Sequence, residues 1–364
     1  MRTFALILTI SIIGILSSSA YACTDFRVRA QDGTVVIARS MEFAMDLESN
    51  LRSSPKGKTR KPRGKIGFTW ESEYGYVYLD GFDIDVVVDG MNEAGLSFEY
   101  LYLPGFTEYE SVPPGQTSQA LSYLDFGHWV LGNFAAVSEV QNALSSVFVF
   151  EEKLSVLGDM VFPLHAAIYD KTGTGIVVEF VEGQMEIHEN ELGVMTNSPP
   201  YDWHITNLRN YVSLRPTNPE PVIVEGITFN AMGMGAAMFG LPGDITPPSR
   251  FVKTAILLEV AIEAANATEA VNLAEHIMNN VDIPLGLSRD PENGQVLKEL
   301  TQWVVFKDLT HGMLYYRTYE NMSLHAVSLK KLDFSKNASA LKMPIERNPY
   351  TLDVTDQFLK SKTR

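Results

Sequence analysis

The chain has 364 residues, which is enough for one large domain or two small ones with a sizeable hydrophobic core. Hydrophobic residues at 45% and charged residues at 20% are typical of a globular protein, and no apolar run after residue 22 is long enough to span a bilayer. The net charge of −15 argues against nucleic acid and anionic membranes as partners.

The first 22 residues have the pattern of a secretory signal peptide. Arg2 supplies a positive start, residues 4–16 are mostly apolar, and Ala20-Tyr21-Ala22 matches the small-residue pattern of a cleavage site. Cleavage after Ala22 would leave residues 23–364 as a periplasmic or secreted chain, which we expect to fold as a single domain.

Cleavage there would make Cys23, the only cysteine, the N-terminal residue. Its free α-amine would lie within reach of its own thiol proton, and these groups titrate near ~8 and ~8.5 in peptides. One residue could then supply both the nucleophile and its base. Two alternatives are a chance cysteine at the junction and a lipoprotein acylated at Cys23, although Ala20 stands where a lipobox usually has Leu.

Residues 24–39 predict two short strands around an Asp-Gly turn, because apolar residues alternate in the first and run together in the second. A tight hairpin brings its open ends together. We therefore expect Arg39 to return close to Cys23, with Glu42 about one turn of chain further on.

The remaining elements alternate between blocks of strands and blocks of helices. Strands are predicted at residues 82–88, 96–103, 164–169, 175–181, 185–189, 193–197, 302–307, 313–319 and 324–328. Helices are predicted at residues 118–134, 138–146 (with Ser138 as N-cap), 250–265 and 268–279. Loops are predicted at the basic stretch 53–65, at a turn containing Asp89-Gly90 and residues 92–95, and at the proline-rich crossing 215–221. This order predicts stacked antiparallel sheets covered by helices, an α+β fold.

Five stretches carry the chemistry. They are Cys23-Thr24, residues 39–43 (RSMEF), 92–96 (NEAGL), 196–199 (TNSP) and 241–251 (LPGDITPPSRF). In this order and spacing they resemble the choloylglycine hydrolase family of N-terminal-nucleophile hydrolases, which contains conjugated bile acid hydrolases and penicillin V acylases. The resemblance implies a four-layer αββα sandwich that hydrolyses a linear amide without a cofactor or metal. It also implies a mature N-terminal cysteine, exposed here by signal peptidase.

The resemblance gives roles to the residues around the nucleophile. Cys23 would attack the amide carbon to form a thioester, with its α-amine as the proton acceptor. Arg39 would favour the thiolate, since a nearby cation lowers the pKa of a thiol. Glu42 would orient the α-amine, although the family most often has Asp at this position. For Arg39 and Glu42 the alternative is an ordinary surface ion pair.

Three further residues match family positions, two of them in the oxyanion site. Asn197 would donate from its side chain to the oxyanion, and Tyr102 from its backbone N–H. Tyr102 occupies a position where penicillin V acylases tend to carry Tyr and bile acid hydrolases Asn, which favours acylase-like specificity. Arg250 matches a second arginine near the nucleophile. The alternatives are a turn-holding Asn, a core tyrosine, and a helix-start ion pair of Arg250 with Asp244.

No rival catalytic motif is present, because the histidines form no H-E-x-x-H pattern and G-x-S-x-G is absent. His204, close to Asn197 in sequence, is expected to pack in an aromatic cluster with Tyr201 and Trp203. The sequence thus predicts an exported N-terminal-cysteine amidase for a small-molecule amide with an apolar acyl group, and a homotetramer by analogy with relatives. The alternatives are an N-acyl homoserine lactone acylase of the same fold, the lipoprotein, and a hydrolase that removes a further propeptide.

Overall fold

The computed structural model describes residues 22–292 and 295–361, so the predicted leader lies outside it apart from Ala22. The strands, in chain order, are β1 Cys23–Arg29, β2 Val35–Phe43, β3 Asn50–Ser54, β4 Thr59–Arg60, β5 Trp70–Glu71, β6 Tyr76–Gly81, β7 Ile84–Asn92, β8 Leu96–Tyr102, β9 Ala120–Ser122, β10 Phe148–Phe150, β11 Leu164–Asp170, β12 Gly175–Val181, β13 Gln184–Glu189, β14 Val194–Met195, β15 Val222–Val224, β16 Ile227–Phe229, β17 Ser288–Glu292, β18 Gln295–Asp308, β19 Met313–Thr318, β20 His325–Ser328 and β21 Lys342–Pro344. The α-helices are α1 Tyr123–Asn133, α2 Val137–Leu144, α3 Tyr201–Asn207, α4 Pro247–Val260, α5 Ala267–Met278 and α6 Thr355–Lys360.

Two antiparallel sheets stack in the middle of the molecule. One has the order β14-β1-β2-β18-β19-β20, with β17 paired to β18, and the other has the order β13-β12-β11-β8-β7-β6-β3-β21. Helices α4 and α5 cover the first sheet, while α1 and α2 cover the second. The predicted α+β sandwich with four αββα layers is confirmed. None of the helices in the described ranges has the length and apolar character needed to cross a bilayer.

The hydrophobic core has two parts, which follow from this layering. One cluster fills the space between the sheets and continues under α5, and the other lies between the second sheet and α1. Strand β2 shows the consequence: all nine of its residues are buried, because one face meets the second sheet and the other meets α5. A strand that is covered on both faces lacks the alternation of buried and exposed residues seen in a strand with one face in solvent.

The predicted hairpin at the start of the chain is present as β1 and β2. Its register pairs Cys23 with Met41 and Asp25 with Arg39. Strand β1 is covered on its other side by β14, through Asp25 and Phe26, so the hairpin lies inside the sheet. The strand that carries Cys23, β1, is therefore fixed by pairing with a strand on each side.

The turn predicted at Asp89-Gly90 is wrong, because both residues lie within β7. Gly90 is needed there for close packing: a Cβ would lie 2.6 Å from the carbonyl oxygen of Val77 and 2.9 Å from Leu131 of α1. The turn from β7 to β8 is formed by the other predicted residues, 93–95, with the Gly95 N–H donating to the carbonyl oxygen of Asn92 at 3.1 Å. A separate turn at Phe82 and Asp83, whose φ angles are 57° and 56°, joins β6 to β7. Two consecutive positive φ angles are those of a tight two-residue hairpin turn.

The first predicted helix begins later than expected. Residues 120–122 form β9, which is parallel to β10, and α1 starts at Tyr123 with Ser122 as N-cap. Ser138 is not the N-cap of α2, because that position is occupied by Ala136. The Glu139 carboxylate accepts from the N–H groups at the start of this helix.

The basic stretch 53–65 is only partly the solvated loop that the sequence predicts, since it contains the end of β3 and all of β4. Three of its cations form ion pairs with the body of the protein, among them Lys56, which lies 3.5 Å from a carboxylate oxygen of Glu93. Arg60 lies 3.3 Å from a carboxylate oxygen of Asp85, and Arg63 lies 2.9 Å from one of Asp125. Both arginine side chains of this stretch therefore pair with carboxylates of the protein body.

Replacing Asn266 with alanine is expected to lower the free energy of unfolding by about 1 kcal/mol. Asn266 caps α5, since its side-chain oxygen accepts from the N–H of Glu269 at 3.2 Å, and the Glu269 carboxylate accepts from the N–H of Ala265 at 2.9 Å. Chemical denaturation monitored by circular dichroism measures the loss. Thr268→Ala, an exposed change in the same turn, is the matched control and should leave the midpoint unchanged.

Candidate active site

The backbone of Cys23 is held by polar side chains that converge from distant parts of the chain. Its N–H donates to Asn197 Oδ1 at 2.6 Å, and its carbonyl oxygen accepts from Arg250 Nη1. Arg250 also donates to Thr24 Oγ1 at 2.6 Å and to Asn197 Oδ1 at 2.7 Å. Because Arg250 is fully buried and makes these bonds, the alternative of a helix-start ion pair with Asp244 does not describe it.

Arg39 lies beside the thiol, as the hairpin geometry predicts. Its Nη2 is 3.5 Å from Cys23 Sγ and donates to the carbonyl oxygen of Tyr100 at 2.7 Å. The guanidinium lies 4.7 Å above the ring of Trp303 on the neighbouring strand β18, in a cation–π arrangement. Arg39 is entirely enclosed, so it is not part of a surface ion pair.

Asn197 links the two halves of the site. Besides accepting from Cys23 and Arg250, it donates from Nδ2 to the carbonyl oxygen of Tyr102 at 2.7 Å. Its own carbonyl oxygen is 2.8 Å from His204 Nε2, so the histidine holds the segment that carries Asn197. The Asn197 amide is therefore fixed by bonds at both ends.

Glu42 is enclosed next to this group. Its carboxylate accepts from Thr301 Oγ1 at 2.6 Å and from Ser40 Oγ at 3.0 Å. In this structure, which retains Ala22, the Cys23 N–H donates to Asn197, and the role of Glu42 toward a free α-amine stays a prediction. Burial raises the pKa of Glu42 to about 8, although nearby Arg250 and the two hydroxyl donors oppose the shift.

Opposing electrostatic effects act on the pKa of the Cys23 thiol. Burial raises the pKa of the Cys23 thiol above its ordinary value, and the Arg39 charge lowers it. The Glu42 carboxylate raises the thiol pKa and Arg250 lowers it further. An enclosed thiol of this kind depends on its two arginines for any thiolate that it forms.

A deep apolar pocket opens beside the thiol. Its space, including the solvent at its open side, amounts to about 690 Å³, and its walls are almost wholly hydrocarbon and aromatic. The rings of Phe82 and Phe162 stack with their centroids 6.1 Å apart, and Phe43 meets Tyr102 edge-on at 6.4 Å. Apart from Arg39 and Glu42 at the thiol end, the pocket lining contains no charged side chain.

Sequence reasoning missed several residues that complete the site. Ala22 N–H donates to Glu299 Oε1 at 2.5 Å, and Thr301 and Trp303 come from the same strand, β18. His165 lies 3.0 Å from the carbonyl oxygen of Thr196, directly before Asn197. No local signal marks these residues, since each reaches the site only through pairing with distant strands.

The predicted role of His204 is only partly described by an aromatic cluster. Its ring stacks on Phe251 with centroids 4.7 Å apart and meets Trp203 edge-on, while Tyr201 contacts Phe251 and His188 instead. Burial lowers the pKa of His204 to about 4, which leaves it neutral near pH 7. It is thus a support for Asn197.

The six predicted residues, Cys23, Arg39, Glu42, Tyr102, Asn197 and Arg250, therefore meet around one buried thiol at the mouth of an apolar pocket. The profile described as linear amide C–N hydrolases, choloylglycine hydrolase family, matches residues 23–343. The chain belongs to the choloylglycine hydrolase family. As a member of this family it is an enzyme that acts on linear amide C–N bonds.

Its relatives include both bile salt and penicillin V enzymes. A bile salt hydrolase/transferase of Clostridium perfringens is 32% identical over 86% of this chain and 94% of its own length. A penicillin V acylase of Pectobacterium atrosepticum is 27% identical over 87% of this chain and 83% of its own. Both activities thus occur among relatives of this chain.

Solved structures of the family superpose on most of the chain. A variant of conjugated bile acid hydrolase from Clostridium perfringens matches with a TM-score of 0.81 and 28% identity, covering 92% of this chain and all of its own. Penicillin V acylase from Agrobacterium tumefaciens matches with a TM-score of 0.72 and 26% identity, covering 90% and 92%. The chain therefore shares its fold with enzymes of both kinds.

Proposed function

We propose that the protein is an exported amidase whose mature N-terminal residue is Cys23 and whose substrate carries a neutral, apolar acyl group. The observation that supports this most directly is that the Cys23 thiol faces a pocket whose remote walls contain no charged side chain. An acyl group that carries a charge would lose its hydration there without a compensating partner.

The proposed reaction begins with removal of the leader at Ala22–Cys23, which frees the α-amine. The amine takes the thiol proton, and the sulfur attacks the amide carbon of the substrate. The oxyanion that forms is stabilised by the Asn197 side-chain N–H and the Tyr102 backbone N–H. The protonated amine then passes its proton to the leaving nitrogen, and water hydrolyses the thioester by the reverse route.

The positions of the buried charged groups are consistent with this order of reaction steps. Arg39 is 3.5 Å from the sulfur and favours the thiolate, while Arg250 orders Cys23 and Asn197 together. Ala22 is enclosed and donates to the Glu299 carboxylate, so removal of the leader would leave this carboxylate close to the new amine. Glu42 and Glu299 would then both lie on the amine's side of the thiol.

Penicillin V acylase-like specificity is the form of this function that we favour. Tyr102 and the aromatic wall formed by Phe43, Phe82 and Phe162 suit a flat aryl group. The same uncharged lining also suits a fatty acyl chain, which makes an N-acyl homoserine lactone the second candidate. A bile acid conjugate requires the pocket to accept a larger fused-ring body.

The test combines identification of the mature N-terminal residue with measurement of substrate turnover. Intact mass and N-terminal sequencing of the exported protein should show Cys23 free. A panel of penicillin V, glycine and taurine conjugates of bile acids, and acyl homoserine lactones should show amide hydrolysis, with penicillin V the best substrate. An acylated or blocked Cys23 in active protein contradicts the mechanism, and a mature mass with added acyl chains indicates the lipoprotein.

Phe162→Ala is expected to shift the preference of the enzyme toward longer acyl groups by about tenfold in the ratio of kcat/KM values, because it removes one ring from the stacked wall. The measurement compares two substrates that share a leaving group and differ in acyl length. Phe106→Ala, an exposed phenylalanine outside the pocket lining, should leave the ratio unchanged. An unchanged ratio in Phe162→Ala would mean that acyl groups bind elsewhere.

A further inference from the structure

A second group of buried ionisable side chains lies between the two sheets. Lys307 Nζ donates to Asp89 Oδ1 at 2.7 Å and to Glu99 Oε1 at 2.5 Å. The Tyr169 hydroxyl donates to Asp25 Oδ1 at 2.5 Å. All five side chains are fully enclosed. Asp25, Asp89, Glu99 and Lys307 are called the interlayer cluster below.

The interlayer cluster meets the nucleophile through the β1–β2 ladder. Asp25 is the register partner of Arg39 and lies two residues after Cys23, on the same face of β1, roughly 7 Å along the strand. Within the described residues, Asp25 Oδ2 and the Nε and Nη1 of Arg39 have no hydrogen-bond partner, although all three atoms are buried. Arg39 is the cation whose charge acts on both Asp25 and the Cys23 sulfur.

The charges of the interlayer cluster do not balance when every acid is ionised. Three carboxylic acids face one ammonium. Of the two arginines nearby, Arg27 donates to backbone carbonyl oxygens, and Arg39 is shared with the thiol. A surplus charge in a dry layer is removed by proton uptake because its solvation cost is large. Accordingly, burial raises the pKa of Glu99 well above its usual value and that of Asp25 to about 7, and these neighbouring acids titrate as a group.

We propose that Asp25 is a positioning residue of the hydrolase site, which acts through Arg39 by holding or releasing a proton. While Asp25 is protonated, the charge of Arg39 serves the Cys23 sulfur. When the Asp25 O–H bond breaks and its proton leaves to water, the new carboxylate shares Arg39, and a thiolate at Cys23 becomes less stable. This inference rests on the proposed role of Cys23 as the nucleophile.

Most elements packed against Asp25 contribute a charged or titratable group to the local charge balance, while β14, whose Met195 pairs with Asp25, contributes none. In the described part of the chain these groups are Arg27 on its own strand, Arg39 on β2, Lys307 on β18, Asp89 on β7, Glu99 on β8 and Tyr169 on β11. Only Asp25 is both a member of the interlayer cluster and the ladder partner of Arg39. The protonation state of Asp25 therefore affects the stability of the Cys23 thiolate through Arg39.

The test is the rate of Cys23 alkylation by iodoacetamide from pH 5.5 to 9, measured on the purified full chain for wild type and Asp25→Asn. Below pH 6 Asp25 is neutral in the wild type, so the two rates should agree. Above pH 7 the wild type gains a carboxylate that the amide cannot form. The variant should therefore react about tenfold faster at pH 9, since a nearby like charge disfavours a thiolate by a unit or more of pKa.

Two other variants separate this role from a structural one. Asp89→Asn makes the same change in the interlayer cluster but not beside Arg39, and its rate at pH 9 should stay within about twofold of wild type. Tyr169→Phe removes the hydroxyl donor that favours ionised Asp25, so the wild-type inflection should move to higher pH. Infrared difference spectra at pH 6 should contain a protonated-carboxyl band that Asp25→Asn lacks.

Identical pH profiles for wild type, Asp25→Asn and Tyr169→Phe would overturn the proposal. If Asp25→Asn fails to fold, Tyr169→Phe alone decides it, by the presence or absence of the shifted inflection. Alkylation needs no substrate, so the result stands apart from the proposed function. A protein whose thiol shows the shift but which cleaves no amide of the panel would retain the Asp25 effect and contradict the amidase.

Discussion

Replacing Cys23 by alanine is expected to abolish hydrolysis of every amide that the wild-type protein cleaves, lowering kcat/KM by at least about 10⁴-fold. Loss of an enzyme's nucleophile typically has an effect of this size or larger, because the remaining groups cannot form the covalent intermediate. The side chain is small, and its sulfur makes long contacts, 3.5 Å to Arg39 Nη2 and 4.0 Å to Met41 Sδ, so the variant should fold normally. Turnover of the best panel substrate, with thermal unfolding in parallel, is the measurement.

Cys23→Ser is the matched variant for this experiment. It retains a hydroxyl nucleophile and the α-amine but loses the easily ionised sulfur, so its activity should lie between those of alanine and wild type. No thioester should be trapped in Cys23→Ala when acid-quenched mixtures with substrate are analysed by mass. Full amidase activity in Cys23→Ala would show that a different residue attacks the substrate.

Replacing Asn197 by alanine should lower kcat by about 10²–10³-fold, or about 2.7–4 kcal/mol, with little change in KM. The reason is that the amide is expected to donate to charge that develops only in the transition state. In the structure it is already oriented, because Cys23 and Arg250 donate to its oxygen and Tyr102 accepts from its nitrogen. Steady-state kinetics on a single substrate separates kcat from KM.

The matched control for Asn197 is Asn210→Ala, which removes the same side chain from an exposed position. It should leave both kinetic constants unchanged. A rise in KM with constant kcat in Asn197→Ala would assign Asn197 to ground-state binding of the substrate. A lowered melting temperature, together with a lower kcat and a higher KM, would instead show that Asn197 mainly holds the N-terminal segment in place.

The sequence predicted the parts of the site that depend on short-range rules. The β1–β2 hairpin follows from alternating apolar residues around a turn, and it alone places Arg39 beside Cys23. Asn197 and Arg250 were predicted through a resemblance of motifs, since nothing local indicates that they meet. Their bonds to Cys23 depend on how β14 and α4 dock on β1.

The Asp89-Gly90 pair shows why the rest could not be predicted. In isolation Asp-Gly is among the strongest turn signals. Here Lys307, more than two hundred residues later, neutralises the aspartate, and the close approach of Val77 and Leu131 requires the glycine. The local preference yields to tertiary contacts that a single sequence does not display.

Strand β18 also has a consequence for the order of events during synthesis. It supplies Glu299, Thr301 and Trp303 to the surroundings of Cys23, yet it lies more than 250 residues after that residue. A chain made from its N-terminus cannot enclose the thiol or arrange its neighbours until that strand has emerged and paired with β2. The nascent polypeptide therefore carries a cysteine without its native charged and aromatic neighbours. Those neighbours surround the thiol only when β18 completes the sheet.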